Sequence, residues 1–433
     1  MNRTEYSSSA ARVIPMPNPP APEYSDEQPV SQLPKAETKI KYAGMDLPFL
    51  ALTILILLIG VVMVLSASFV RAYYVAGDPL RFFLRQFMFA ISGVGLMIIV
   101  SRINVKIMRH WSMWILYISV GLLVLVLMFG ETVNNATRWI DIFGITRFQP
   151  SEVAKVAIIL AFSRMICQFD EKMKTLKYGI FPFVVIVGAI AFLLMRQPHV
   201  SATIIIVAQT AIMLFAGGAR LRWFVIPALI IAAVVGFLLF SMMQNSAEAE
   251  DGAAQQQTQQ VQQRSGGRLA HVQRRIDSWL DPEADPQGAG FQARQSLYAV
   301  GSGGLFGVGL GQSRQKQLYL PEEHNDFIFA IVLEELGFIG GMMILTLFAL
   351  LIIRGFWLAL HARDRYGSLV VTGITALLAI QVFLNVAVVT NLIPATGISL
   401  PFFSYGGTAL WLQLVQMGIV LSVSREIPLT KAG

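Results

Sequence analysis

Leu47–Phe69 reads LPFLALTILILLIGVVMVLSASF, 23 residues without a single charge. As a helix rising 1.5 Å per residue it covers about 35 Å, enough to cross a hydrocarbon core of roughly 30 Å. Nine further apolar stretches of similar length follow. Together they predict ten spans, at about 47–69, 82–101, 111–130, 151–168, 178–195, 200–218, 223–243, 327–353, 368–391 and 405–423. The composition agrees: of 433 residues, 55% are hydrophobic and 14% charged, against roughly 25% charged in soluble domains. This excludes a soluble enzyme, a disordered regulator and a secreted disulfide scaffold. The one cysteine, Cys167, cannot form an intrachain disulfide, and without a His cluster it is no zinc site. The expected fold class is an all-α polytopic membrane protein.

The formal charge of +7 is distributed unevenly. Arg102, Lys106 and Arg109 share one loop, Arg164, Lys172, Lys174 and Lys177 the next on that side, then Arg220 and Arg222, then Arg354, Arg363 and Arg365. Lys35, Lys39 and Lys41 precede the first span, and Arg425 follows the last. Basic residues accumulate on the cytoplasmic side, so both termini are expected there. The basic surplus is then a topology signal, and no nucleic-acid partner is expected.

Five regions follow. Residues 1–45 are expected to form a disordered, Pro-rich cytoplasmic tail, with PMPNPPAP at 15–22. Residues 46–243 carry spans one to seven, and 244–326 form a long extracytoplasmic segment. Residues 327–423 carry spans eight to ten, and 424–433 a short cytoplasmic tail. In the long segment Leu269, Val272, Ile276 and Trp279 recur at helical spacing. That pattern fits either an interfacial helix on the outer leaflet or a helix packed on the protein. The Gly-rich run GSGGLFGVGLG at 301–311 lacks the Lys-Ser/Thr ending of a phosphate loop. Its glycines fit close backbone packing or a re-entrant turn.

Ionisable residues in or beside a span mark function by default. Asp326 opens the eighth span, and Glu334 and Glu335 lie within it. Eight residues of helix would put Asp326 and Glu334 near one face, about 12 Å apart. Glu152 and Lys155, spaced i, i+3 in the fourth span, share a face, so Lys155 can neutralise a carboxylate. The alternative for these charges is a buried ion pair that fixes helix register. The outer loops add Arg138 and Trp139, Gln149 and Ser151, Arg196, His199, His324 and Ser404. A cationic, aromatic-lined outer cleft with one carboxylate suits a phosphorylated lipid carrying a sugar. Arginine forks match phosphate oxygens, and a carboxylate can accept a hydroxyl proton.

The chain resembles the SEDS family (shape, elongation, division and sporulation). The resemblance rests on Met45–Ser68, Arg138-Trp139-Ile140, QPSEVAK at 149–155, QPHVSA at 197–202, the segment 295–311, LPEEHNDFIFA at 320–330, Glu334–Gly337 and NLIPATGISLPFFSYGG at 391–407. It implies a bacterial inner-membrane protein of ten helices that polymerises glycan strands from lipid II, carrying the strand on undecaprenyl pyrophosphate. It implies a class B penicillin-binding protein, the septal transpeptidase, as partner, with other divisome membrane proteins nearby. It implies Asp326 as the catalytic carboxylate, Trp139 as the family's outer-loop tryptophan, and Gln149, Ser151, Glu152 and Lys155 as its Gln-Pro-Ser-Glu-x-x-Lys motif.

There are departures from the family pattern. Asn325 takes a position usually held by Thr, His199 one often held by Asp, Asn135 a Gly position, and Leu333 another. The role of His199 therefore stays open. The tail and the opening Met45–Phe49 look more division-like than elongation-like, and a sporulation paralogue reads similarly.

In the expected mechanism Asp326 takes the proton of the attacking sugar hydroxyl. Arg138, Arg196 and Lys155 stabilise the leaving pyrophosphate. No residues form a dedicated metal cage, so a divalent cation, Mg or Mn, would bridge substrate phosphates. Two rivals remain: a lipid II flippase, which needs a polar path across the whole bilayer, and a scaffold that recruits the transpeptidase.

Overall fold

A computed structural model describes residues 44–133, 136–142, 146–220, 222–223, 275, 278–279 and 289–427. The proline-rich tail, the expected seventh span and the Gln-rich run lie outside the described residues, as does most of the 268–280 helix. Helix starts follow local chemistry. Asp46 accepts from the Phe49 amide at 2.9 Å and opens α1 (Leu47–Ala76), with Pro48 in its first turn. After α2 (Arg81–Ser101), Asn104 caps α3 (Val105–Phe129). α3 thus begins six residues before the apolar stretch expected at 111–130. Lys106, Arg109 and His110 are polar residues within its first two turns, so hydropathy alone could not find that end.

Next come α4 (Pro150–Phe169), α5 (Phe181–Arg196) and α6 (Val200–Ala216). Further on lie α7 (Ala289–Gly303), α8 (Ile328–Leu360), α9 (Arg365–Val389) and α10 (Gly407–Arg425). Seven helical stretches are long and apolar enough to cross a membrane: α1, α2, α3, the stretch Leu176–Arg196 that contains α5, α8, α9 and α10. α4 carries Glu152, Lys155 and Arg164, and α6 is shorter, with 17 residues. Within those seven stretches 67% of α9 and 72% of α10 is buried, but only 22% of α2 and 28% of α3. α9 and α10 are therefore central, with α4, which is buried along nearly its whole length.

One feature departs from an all-α reading. Between α3 and α4 the chain forms an antiparallel meander, β1 (Glu131–Val133), β2 (Ala136–Ile142) and β3 (Thr146–Phe148), pairing in the order β1-β2-β3. The stretch is rich in β-branched residues, which fit a pleated strand better than a helix. α7 is helical and lies inside the long segment, beyond the helix expected at 268–280.

α8 is broken at Gly337 (φ 70, ψ −173). The Gly-rich run folds back against the break. The amides of Val308 and Gly309 donate to the Glu334 and Glu335 carbonyls, and those of Phe338 and Ile339 to Gly304 and Leu305, all at 2.9–3.1 Å. A Cβ on Gly307 would lie 2.2 Å from the Glu335 oxygen, and one on Gly303 2.0 Å from the Leu333 oxygen. The glycines serve close backbone packing, one of the two uses expected of them.

Glu334 and Glu335 secure this return. Glu334 accepts from Ser313 Oγ, from the Arg314 amide at 2.9 Å and from the Gln315 amide at 3.4 Å. Glu335 pairs with Lys316 Nζ at 2.8 Å and accepts from Ser66 Oγ at 2.6 Å. The shared helical face expected for Asp326 and Glu334 is not formed. Residues 320–327 are turns, so helical phase begins only at Ile328.

Candidate active site

A cleft of about 1140 Å³ opens among α1, α2, α4, α6, α9 and α10, the meander and the 321–327 turn. Asp326 lines it, half-buried. Its backbone is held on two sides. Asn385 Nδ2 donates to the Asp326 carbonyl at 2.8 Å and to the Ile398 carbonyl at 2.7 Å. Ser404 Oγ donates to the Asn325 carbonyl at 2.8 Å, and the Tyr405 amide to His324 at 2.9 Å. Gly397 (φ +69) passes so close that a Cβ there would lie 3.2 Å from Asp326 Oδ2.

Among the described residues the Asp326 carboxylate has no hydrogen bond and no ion pair; its neighbours act through the field. Burial pushes its pKa up from 3.8 to about 6, with Glu322 adding to the rise. Arg275, Arg138 and His324 oppose it. Burial lowers the pKa of Arg138 and, in addition, Arg275 repels its charge, while Asp326 favours it. Arg138 Nε donates to the Gln197 carbonyl at 3.4 Å, and one terminal nitrogen donates to Pro198. Arg275 donates to the Ala395 carbonyl at 2.8 Å, and Trp279 Nε1 to Asn391 at 3.0 Å. At these two residues the long segment before α7 is therefore docked on the protein.

Trp139 of β2 lines the same cleft. On the α4 side Lys155 Nζ pairs with Glu152 at 2.7 Å, and both reach the cleft. Gln149 Nε2 lies 3.4 Å from His199 Nε2. Burial, then Arg138 and Lys155, push the His199 pKa well below 6.5, so this imidazole is neutral at pH 7. Gln381 and Gln413 complete the polar lining.

Nine of the residues singled out in the sequence thus converge: Asp326, Arg138, Trp139, Gln149, Glu152, Lys155, His199, His324 and Ser404. Ser404 and His324 also hold the turn together. The rest sit elsewhere. Ser151 is buried, with no partner for its hydroxyl among the described residues. Arg196 lies over the Phe192 ring at 5.1 Å and does not line the cleft. Glu334 and Glu335 hold the re-entrant run. Arg71, Arg275 and Glu322 line the cleft without having been singled out for it. Glu322 stood in the motif beside His324. Arg275 stood on the polar side of the expected interfacial helix.

A model of the cell cycle protein family of FtsW, RodA and SpoVE matches residues 46–428. Stage V sporulation protein E of Bacillus subtilis (strain 168) is 42% identical over 388 residues, 89% of this chain and 98% of that protein. A probable peptidoglycan glycosyltransferase FtsW of Trichlorobacter lovleyi is 37% identical over 391 residues, 90% of this chain and 95% of that protein. A chain from a solved peptidoglycan synthase complex superposes with a TM-score of 0.69 at 24% identity, covering 90% of this chain and 100% of that one. The rod shape determining protein RodA of Thermus thermophilus gives 0.61 at 24% identity, covering 89% and 98%. These two likenesses concern the fold.

Proposed function

The chain belongs to the SEDS family, the cell cycle proteins that include FtsW, RodA and SpoVE, and from that premise we propose that it polymerises lipid II at the outer face of the cytoplasmic membrane. It is a multi-pass membrane protein and a peptidoglycan glycosyltransferase. The observation that carries the reading is the cleft, where a half-buried carboxylate with a raised pKa faces two arginines. The alternation of basic loops supports ten spans with both termini inside.

In the reaction the acceptor sugar's 4-hydroxyl attacks the donor's anomeric carbon. A new glycosidic C–O bond forms as the bond to undecaprenyl pyrophosphate breaks, and the leaving group departs with the electron pair. The hydroxyl proton goes to Asp326, an assistance worth roughly 10²–10⁴-fold. Arg138 and Arg275 offset the charge that grows on the pyrophosphate, while Trp139 offers a flat face to a sugar ring. Lys155 is engaged by Glu152 and sets the polar wall. Among the described residues no group of three or more His, Cys, Asp or Glu side chains is placed to hold a metal ion. The residues alone do not fit a Mg or Mn ion, and no step is routed through one.

A flippase needs a polar path inward from the cleft. The described side chains suited to a sugar hydroxyl and a pyrophosphate, Asp326, Arg138 and Arg275, gather in one cleft, which favours chemistry at the outer face. The partner is a class B penicillin-binding protein, and the place of action is the division septum. A fluorescent fusion that stays off the septum in dividing cells would move the assignment to elongation or sporulation.

The test is polymerisation of lipid II by the purified chain with its class B partner, comparing wild type with Asp326→Ala at equal folding and partner binding. Polymer from wild type and none from the variant is the expected result. Normal polymer from the variant refutes the base. No polymer from a well-folded wild-type complex, with or without added divalent cations, refutes the activity.

A further inference from the structure

The turn that presents Asp326 is not self-supporting. Residues 320–327 have no regular structure, and Glu322 sits in the left-handed region at φ 56, a conformation that surrounding contacts must hold. The Asn385, Ser404 and Tyr405 bonds all grip backbone carbonyls, from α9 and the 404–405 segment. One side chain of the turn is gripped from another element. Glu323 is fully buried, and Arg71, one turn before the outer end of α1, holds it by both oxygens: Nε to Oε1 at 2.6 Å and Nη2 to Oε2 at 2.8 Å. Such a fork fixes orientation as well as distance.

Glu323 Oε1 also lies 3.7 Å from Nδ1 of His324. The His324 ring packs against Phe82 and Tyr405, at 5.4 and 5.7 Å between centroids. Burial raises the Glu323 pKa, but His324 and Arg71 outweigh it and hold this carboxyl below its ordinary value, so it stays ionised. Asp326 lies three residues further on. Neither Arg71 nor Glu323 has a part in the proton transfer described above.

We propose that Arg71 and Glu323 are a positioning pair, through which the outer end of α1 sets the place of Asp326 in the cleft. The inference rests on the glycosyltransferase reading. If α1 holds the turn by this fork, loss of either partner lets the turn relax while the anion-binding arginines stay where they are. Catalysis falls and substrate binding holds. A displacement of about 1 Å can cost on the order of 100-fold in rate.

The experiment uses the full-length chain with its class B partner. Glu323→Gln, Arg71→Gln and the double variant are compared in steady-state polymerisation across pH. Each single variant should lose roughly 10–100-fold in kcat with KM for lipid II changed by less than about 2-fold. The double variant should lose about as much as one single, because both break one link. The acid limb of the kcat profile should also move to lower pH. Burial is the largest cause of the raised Asp326 pKa, and a relaxed turn is wetter. The groups facing Asp326 are Glu322 and His324 within the turn and Arg138 and Arg275 outside it, of which the two arginines stay in place; those facing Glu323 are Arg71 and His324.

Unchanged kcat, losses that multiply in the double variant, or a limb that stays fixed while kcat falls each overturn the pairing role. If Glu323→Gln does not accumulate as folded protein, Arg71→Lys carries the same test. It keeps the charge and removes the fork, so it should show a smaller loss of kcat and the same shift of the limb. An inactive wild-type complex overturns the glycosyltransferase reading and the pair's role with it. An active wild type with unaffected variants overturns the pair's role alone.

Discussion

Replacing Asp326 by asparagine keeps the side chain's shape and removes its charge. In the folded protein the carboxyl's pKa is raised from 3.8 to about 6, so the charged form is disfavoured by folding. Two units at 1.36 kcal/mol each give ~3 kcal/mol at full effect. The side chain faces the cleft and remains partly hydrated, which brings the expected figure to about 1–2 kcal/mol. The cost is fully present above about pH 6, where both folded and unfolded carboxyls are ionised. It shrinks as pH falls toward about 4 and is gone where both are protonated. Asp326→Asn should therefore melt a few degrees higher than wild type at pH 7.5, and the gap should narrow to about a third of that at pH 4.5. Thermal melting of the purified protein in one detergent at both pH values reads this directly. Polymerisation by the same sample should be lost. An equal or lower melting point at pH 7.5, or a gap that ignores pH, refutes the view that this carboxylate is held at a cost for catalysis.

Other predictions follow from the same contacts. For wild type, kcat/KM should rise with pH and level off above about pH 6, since the base must be ionised before it can take a proton; a profile flat down to pH 4.5 contradicts this. Lys316→Met strands Glu335 inside the protein, at a cost of roughly 3–5 kcal/mol. Adding Glu335→Gln should recover much of the lost melting temperature. Gly337→Ala puts a Cβ 2.3 Å from the Gly307 nitrogen at a φ of +70. It should cost on the order of 3 kcal/mol and lower the yield of monodisperse protein in size-exclusion chromatography.

The apolar helices were legible because the bilayer demands about 20 apolar residues per crossing, and little else in a sequence looks like that. Their ends were less so. α3 starts at Val105 because Asn104 caps it and because Lys106 and Arg109 can stay helical at the membrane surface. The meander at 131–148 escaped because its strands are three, seven and three residues long, too short for a clear two-residue period. Within the site, Asp326, Arg138 and Lys155 stood out as charges beside apolar runs. Arg196 stood out equally and was misjudged, because loop position does not fix which way a long side chain turns. Arg275 acts on Asp326 across 51 positions of chain, and Arg71 binds Glu323 across 252. No local pattern carries such pairs.

Five carboxylates crowd the start of α8, and their partners decide what each can do. Glu334 is engaged by backbone amides and Ser313, Glu335 by Lys316 and Ser66, and Glu322 accepts from Asn325 Nδ2 at 2.6 Å. Glu323 is forked by Arg71. A carboxylate whose lone pairs are taken and whose pKa is held low is a poor proton acceptor, and Glu323 is of that kind. Asp326, three residues on, is pushed in the opposite direction and makes no hydrogen bond among the described residues. Two carboxyls with pKa values driven apart by their surroundings divide the labour between structure and proton transfer. The motif offered several acids for the base. With partners engaging the other four, Asp326 is left, among the described residues, as the acid of this group whose oxygens are unengaged in the cleft.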